Sequence, residues 1–215
     1  MIKTRFYRHY KNKPYKYLGV VHHSETLEEM ALYETLYPNP TGSLWVRPKK
    51  MFFEKIVKNG AEVFRFEPVE FKFTAETEVT SANSESIKQL ATEIFGQFDA
   101  EKVQTKLIGA SRRLIQFAQD GRKVVGFKVG YSKDDEIFYS WLGGVLPSYS
   151  NLGLASELMR RQHQWAKENG FKVLQTKSRN RFHDIIRLNL KSGFEIVGTE
   201  KEKNDDITVL FQKTL

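Results

Sequence analysis

The 215-residue chain contains no cysteine, which excludes disulfides, thiolate nucleophiles and cysteine-ligated zinc together. No apolar run approaches the ~20 residues that a membrane span requires. The basic opening, MIKTRFYRHYKNKPYKY, lacks the apolar stretch of a secretory signal. These absences lead us to expect a cytoplasmic chain with no membrane partner. Acidic residues are missing from the first sixteen positions, which hold six cations. There is no internal repeat and no low-complexity segment.

What is present describes a globular protein. Hydrophobic residues make up 40% and charged residues 28% of the chain. The length allows one large or two small domains with a real core. The formal charge of +8 is shared along the chain: twelve Lys/Arg face eight Asp/Glu up to Glu70, and twenty-two face eighteen after it. Such a surface favours anionic partners such as nucleic acid, phosphorylated cofactors or acidic proteins. A simply solvated surface fits the same charge.

The first seventy residues alternate and are rich in aromatics, with turn signals at SETLEE, PNPTGS and Asn59-Gly60. Short strands between such turns suggest a small all-β barrel. The proline in RFEPVEF ends the pattern, so we place a domain boundary at residues 68–72, giving domains 1–69 and 70–215. Beyond it the expected order is a strand (FKFTAETEVT), two helices, two strands around Asp120-Gly121, a buried strand EIFYSWLGGVLP, and a helix over Leu152 to Asn169. That helix places Ala155, Leu158, Met159, Gln162, Trp165 and Ala166 on one face. A strand FKVLQTKS, a helix RFHDIIRLNLKSG and two closing strands follow.

The stretch GVLPSYSNLGLASELMRR carries chemistry. A strand stops at Pro147, and a helix follows with no acidic residue in its expected first turn, where one would be stabilising. The first turn of a helix leaves N–H groups unpaired, so the amides at Asn151, Gly153, Leu154 and Ala155 form a ready anion site. Gly153 and Ala155 let a diphosphate approach the backbone closely.

From about Phe71 to Leu215 the chain resembles the GNAT (Gcn5-related N-acetyltransferase) superfamily. Its signature, a Val-x-Pro strand end and then Arg/Gln-x-x-Gly-x-Gly/Ala, is met by Val145-Leu146-Pro147 and Ser150-Asn151-Leu152-Gly153-Leu154-Ala155. Ser150 departs from the usual Arg or Gln. LNLKSGFEIVG is similar to the family's Gly-Phe ending. The resemblance implies a mixed α/β (α+β) fold, with a central sheet flanked by helices. It also implies transfer of an acetyl group from acetyl-CoA, used as acyl donor without a metal, to a primary amine. By the same resemblance, Gly144, Val145 and Leu146 bind the pantetheine arm and the Val145 N–H holds the oxyanion. The turn Ser150, Asn151, Leu152, Gly153, Leu154, Ala155 and Ser156 takes the diphosphate. Arg160, Arg161, Lys177, Arg179 and Arg181 are candidates for the ribose phosphate, or ordinary solvated cations.

The acid and base are less plain. Asn189 stands where many relatives carry an acidic tyrosine and has no suitable proton to give. On a helix it shares an apolar face with Phe182, Ile185 and Ile186, either contacting coenzyme A or serving as a core amide. Asn180 is similar to an asparagine that follows the fifth strand in the family. Asp134, Asp135 and Glu136 lie on the order of 30 Å along the chain from Val145. Tyr139 and Trp141, expected on one face with Gly143 and Val145, are candidates for the substrate channel, Tyr139 also for a proton relay.

Residues 1 to about 68 resemble a small uncharacterised bacterial domain family, which suggests an SH3-like barrel. Its aromatics suit stacking on bases or peptide recognition, and core packing explains them as well. The adjacent His22 and His23 point to opposite faces of a strand and are rejected as a zinc site. Two readings stand: an N-acyltransferase, monomer or homodimer, whose front domain aids recognition of the amine, and a binding protein that keeps the fold without the chemistry, its barrel holding nucleic acid or peptide.

Overall fold

A computed structural model describes residues 6–96, 99–202 and 206–215. The chain divides into two compact units, residues 1–71 with 150–152, and residues 72–149 with 153–215.

In the first unit, β1 (Phe6–His9), β2 (Pro14–His22), β3 (Glu29–Thr35), β4 (Leu44–Pro48) and β7 (Phe66–Pro68) form an antiparallel sheet in the order β4-β3-β2-β1-β7. The short helix α1 (Lys49–Phe53) follows β4, and β5 (Lys55–Lys58) pairs with β6 (Ala61–Phe64) as a separate ribbon. Asn59 and Gly60 both have positive φ, 52° and 79°, as that tight turn requires. The expected barrel does not close. The two strands that would complete it pair with each other, and β4 and β7 end the sheet without meeting among the described residues. A helix plugs the face instead. Phe52 of α1 stacks on Phe66 of β7, with ring centroids 4.2 Å apart and planes 8° from parallel, over Ala31 and Tyr33 of β3. Tyr7 and Tyr15 pack edge-on and Tyr17 tilted around this pair, so core packing absorbs most of the aromatics. His23 accepts the N–H groups of Glu25 and Thr26 at Nδ1, a turn-capping role.

The second unit holds β8 (Phe71–Glu76), α2 (Ser81–Phe95), α3 (Ala100–Ile108), β9 (Arg113–Asp120), β10 (Lys123–Ser132), β11 (Ile137–Val145), α4 (Leu154–Glu168), β12 (Val173–Arg179), α5 (His183–Lys191), β13 (Glu195–Lys201) and β14 (Ile207–Thr214). Thr80 and Asn83 start α2 with a reciprocal capping box. The seven strands run in the order β13-β14-β12-β11-β10-β9-β8, and β11 and β12 are parallel. This is the expected mixed sheet with flanking helices. Phe138 and Leu174, from those two parallel strands, meet Met159 and Ala166 of α4 and Phe211 of β14 in the core. No helix among the described residues is long and apolar enough to cross a membrane.

The front core rests on one helical side chain. Phe52→Ala should lower stability by about 3–5 kcal/mol, with loss of near-ultraviolet aromatic circular dichroism in urea titrations. Val57→Ala, at an exposed position, should stay within about 0.5 kcal/mol of wild type.

Candidate active site

Parallel pairing between β11 and β12 covers three positions, Ile137 with Val173, Phe138 with Leu174 and Tyr139 with Gln175. Beyond them β12 continues against β14 alone, and β11 runs on from Ser140 to Val145 without a neighbour on that side. A gap therefore opens inside the sheet. Leu146 N–H donates to Val125 O of β10 at 2.9 Å, which sets the phase of the β10–β11 ladder. Hydrogen-bonded and open positions alternate along an antiparallel pair. Gly144 thus turns its N–H and C=O to β10, while Gly143 and Val145 turn theirs into the gap. Of the three backbone positions proposed for the pantetheine arm, Val145 alone faces the opening. Leu146 has its N–H on Val125, its carbonyl on the Tyr149 N–H and its side chain in the core. Gly143, absent from the expected set, also faces the gap. The signal was in the sequence as the second of two positions two residues apart.

A β-bulge changes which side chains share a face. Leu142 lies opposite Val129 and Ser140 opposite the next residue, Gly130, so Trp141 is the extra residue. Tyr139 and Trp141 consequently pack on Tyr131, on the face where Lys106 of α3 lies over the Tyr131 ring. Gly143 and Val145 sit on the α4 face, where Val145 Cγ2 and Leu158 Cδ1 crowd Gly126. This corrects the expectation of a single shared face, because an inserted residue inverts the alternation beyond it. Tyr139 lies six residues, about 20 Å, from Val145. Burial, with Tyr131 and Glu200, pushes its phenol up to about 12. The phenol therefore keeps its proton at neutral pH, and the ring packs against Tyr131.

Past Pro147 the chain makes one 3-10 turn, Pro147–Tyr149, and the Tyr149 hydroxyl fastens it by donating to Asp120 Oδ2 at 2.8 Å. Asn151 and Gly153 are both left-handed, with φ of 63° and 79°. Helix α4 therefore begins at Leu154, two residues later than its periodicity suggests, with Glu157 in its first turn. The first turn is thus not free of acid, a second correction, but that carboxylate is taken. It accepts from Arg160 and Arg161, each at 2.8 Å, and Arg160 above all holds it below its ordinary range. Buried Leu152 and Leu154 anchor the turn, while Ser150, Asn151, Gly153 and Ser156 are exposed. The N–H groups of Gly153, Leu154, Ala155 and Ser156 have no hydrogen-bond partner among the described residues.

The cations proposed for a ribose phosphate are all engaged. Arg160 and Arg161 pair with Glu157, Lys177 with Glu200 at 3.7 Å, and Arg179 and Arg181 with Asp206 at 3.6 and 3.8 Å. Asp134 accepts two backbone N–H groups at the entry to β11, and Glu136 pairs with Lys172, so both are structural. Asn180 is exposed in the turn after β12, its N–H on Ile207 O. Asn189 is buried on α5 with its Nδ2 unpaired. Phe182 and Ile185, expected beside it on one buried face, are exposed, and Ile186 alone packs into the core.

Two buried bases escaped the sequence reading because nothing local marks them. Lys128 of β10 is 9% exposed and His163 of α4 is 8% exposed. Lys213 Nζ donates to Ser192 O and lies 3.2 Å from His163 Nδ1, so Nδ1 accepts and the imidazole proton sits on Nε2. Burial first, then Lys213 and Lys128, pushes His163 down to about 3. An unfolded histidine titrates near 6.5. The unfolded chain therefore binds the extra proton between these values, and stability falls as pH drops through that window. Urea titrations should show the unfolding free energy falling by up to about 1.4 kcal/mol per pH unit below pH 6 from this group. His163→Phe should remove that part of the slope.

Known proteins agree with this architecture. Residues 84–194, just over half of the chain, match the Acetyltransferase (GNAT) family, and residues 5–68 match a family described as a protein of unknown function (DUF1653). No curated protein matches the chain. Among solved structures, it is similar to a GNAT family acetyltransferase from Elizabethkingia anophelis with acetyl-CoA bound (18% identity, 66% of this chain and 98% of that one, TM-score 0.55). It is similar also to the ribosomal-protein-S18-alanine N-acetyltransferase from Escherichia coli (13% identity, 66% and 94%, TM-score 0.58). A third, the IAA acetyltransferase from Bacillus cereus, shares 18% identity over 67% of this chain and 100% of that one, with a TM-score of 0.54. At these identities the likeness speaks for the fold. With a family match spanning more than half its length, the chain belongs to the Acetyltransferase (GNAT) family.

Proposed function

We propose that the protein transfers an acetyl group from acetyl-CoA to a primary amine in the cytoplasm. The observation that carries this reading is two sets of unpaired backbone donors on one stretch of chain. Gly143 and Val145 face the gap, and Gly153, Leu154, Ala155 and Ser156 stand at the start of α4. Acetyl-CoA supplies an activated thioester on a strand-like arm that ends in a diphosphate. The residues fit each part. The α4 amides, in the positive field of the helix terminus, suit the diphosphate, with Ser150, Asn151 and Leu152 shaping the approach. The gap-facing groups of Val145 and Gly143 suit strand-like pairing with the arm. The Val145 N–H suits the carbonyl oxygen as charge develops there, and one such donor is typically worth ~3–4 kcal/mol in the transition state. Asn180, exposed after β12, and Asn189, with its Nδ2 unpaired, are assigned as further polar contacts to the donor. The front domain, residues 1–69, aids recognition of the amine-bearing partner.

The alternative, a binding protein without turnover, draws on Asn189 and Ser150, which stand where an acid and a phosphate-binding side chain are usual. The two readings part experimentally. Acetyl-CoA at a hundredfold excess over its dissociation constant should stabilise the protein by about 2.7 kcal/mol, seen as a rise in Tm, and thiol should be released on adding amines. A rise in Tm without thiol release across a broad amine panel supports the binding protein. Gly153→Val puts a β-branched side chain at a φ of 79° on the residue that precedes the first turn of α4. Calorimetry should find acetyl-CoA affinity at least tenfold weaker in that variant, a loss of about 1.4 kcal/mol or more. Unchanged affinity would reject the diphosphate assignment.

A further inference from the structure

Beneath α4 lies a layer of buried polar groups that the reading above does not use. Ser140 Oγ, both amide atoms of Gln162 and Nε2 of His163 are buried without a hydrogen-bond partner. Asn189 Nδ2 is likewise unpaired, and its carbonyl-side neighbour Phe194 packs edge-on against the His163 ring. Unpaired groups of this kind are uncommon in a folded interior and ask for a ligand or water. Lys128 is buried as well, near enough to the His163 imidazole for its charge to act there. It faces Gly143 directly across the β10–β11 ladder. A Cβ at Gly143 would be 3.2 Å from Lys128 Cγ, so the lysine stem crosses the strand where glycine leaves room. It thereby extends towards the side from which β12 has diverged, and towards His163.

The elements packed on this face present few charges. β9 offers Gln116, β11 offers Ser140 and Gly143, and α4 offers Gln162 and His163, with the Lys213 ammonium of β14 beyond the imidazole. α2 packs against β10 and β11 as well, meeting Gly144 there with Ile94 and Phe95. No carboxylate pairs with Lys128 among the described residues, and burial alone pushes its amine down to about 8. A lysine buried without an anion is costly, and such groups cluster at functional sites.

We propose that Lys128 protonates the departing thiol sulfur of the acyl donor, an assignment that rests on the acetyl-transfer reading. With the thioester oxygen held at the gap-facing N–H groups, the neighbouring sulfur comes beside the strand that the lysine stem crosses. As the amine nitrogen bonds to the carbonyl carbon, the C–S bond breaks and its electron pair leaves on sulfur. Lys128 Nζ gives that sulfur a proton, the amine nitrogen sheds its surplus proton to water, and Lys128 is reprotonated from solvent. Gln116, its cross-strand partner, also lines an open cleft of about 240 Å³ with Arg160 and Gln164, a route for that proton. A thiol ordinarily ionises near 8.5, so donor and acceptor are closely matched, as efficient proton transfer requires. Lys128 thus supplies the acid that Asn189 cannot.

The test uses coenzyme A itself and needs no amine. The thiolate's ultraviolet absorbance is followed against pH for coenzyme A free, bound to wild type, and bound to K128M and K128R. In wild type the nearby cation should lower ionisation of the bound thiol by about one pH unit or more. K128M should lose that shift while still binding coenzyme A, and K128R should retain it. K128M should also melt no lower than wild type, since it removes a buried unpaired amine. Identical titration of the bound thiol in wild type and K128M overturns the assignment and leaves the acetyl-transfer reading standing. Failure of wild type to bind coenzyme A overturns both. If K128M does not fold, the wild-type titration decides alone: a bound thiol that ionises like free coenzyme A overturns the assignment.

Discussion

Two parallel strands part in the middle of a sheet, and the rest of the second unit is organised around that parting. Backbone N–H and C=O groups demand partners, and a sheet normally supplies them along every interior strand. Here β11 keeps β10 on one side and loses β12 after three pairs on the other. The unpaired edge is not at the rim, where charges or bulges would blunt it, but flanked by packed helices. The separation is held by different partners on either side. β12 commits its remaining length to β14, and β11 is pinned to β10 up to the Leu146 bond with Val125. The same strand then turns through Pro147 into α4, so the unpaired edge runs on into the unpaired amides of a helix terminus. Backbone alone supplies both sets of donors, before and after the Pro147 turn, so neither set depends on the side chain at position 150.

The parting also explains the polar layer beneath α4. An interior that opens on one side can keep Lys128, Gln162, His163 and Ser140 at positions which a closed sheet would fill with apolar residues. Burial holds Lys128 and His163 as weak bases, and Lys213 and Lys128 lower His163 further. Two glycines have steric roles here. Gly143 admits the lysine stem, and Gly144 admits α2, because a Cβ there would meet Ile94 at 3.0 Å and Phe95 at 3.2 Å. Glycine at both positions lets the strand be approached from both faces at the point where it is open.

The front unit is built on another principle. Its sheet is too short to bury a two-sided core, and a single helical turn supplies the missing layer through Phe52. Exposed Leu44 and Val46 on β4 and exposed Leu27 in the loop between β2 and β3 are what remains when one face is covered and the other is not.

The order of elements, the hairpin turns at Asn59-Gly60 and Asp120-Gly121, and the glycine-containing turn after Pro147 were legible in the sequence, because each depends on a few adjacent residues and their allowed φ and ψ. Other features were not. The bulge at Trp141 that separates Tyr139 from Val145, the helix starting at Leu154 instead of Leu152, the open front sheet, and the exposure of Phe182 and Ile185 on α5 all depend on what lies opposite. So did Lys128 and His163, which read locally as ordinary surface residues. The sequence by itself determined where the chain turns and which stretches form strands and helices, since those are near-neighbour preferences. Only the tertiary structure decided which backbone donors stay unpaired and which charges are buried, because both follow from distant strands meeting, or failing to meet, across the sheet.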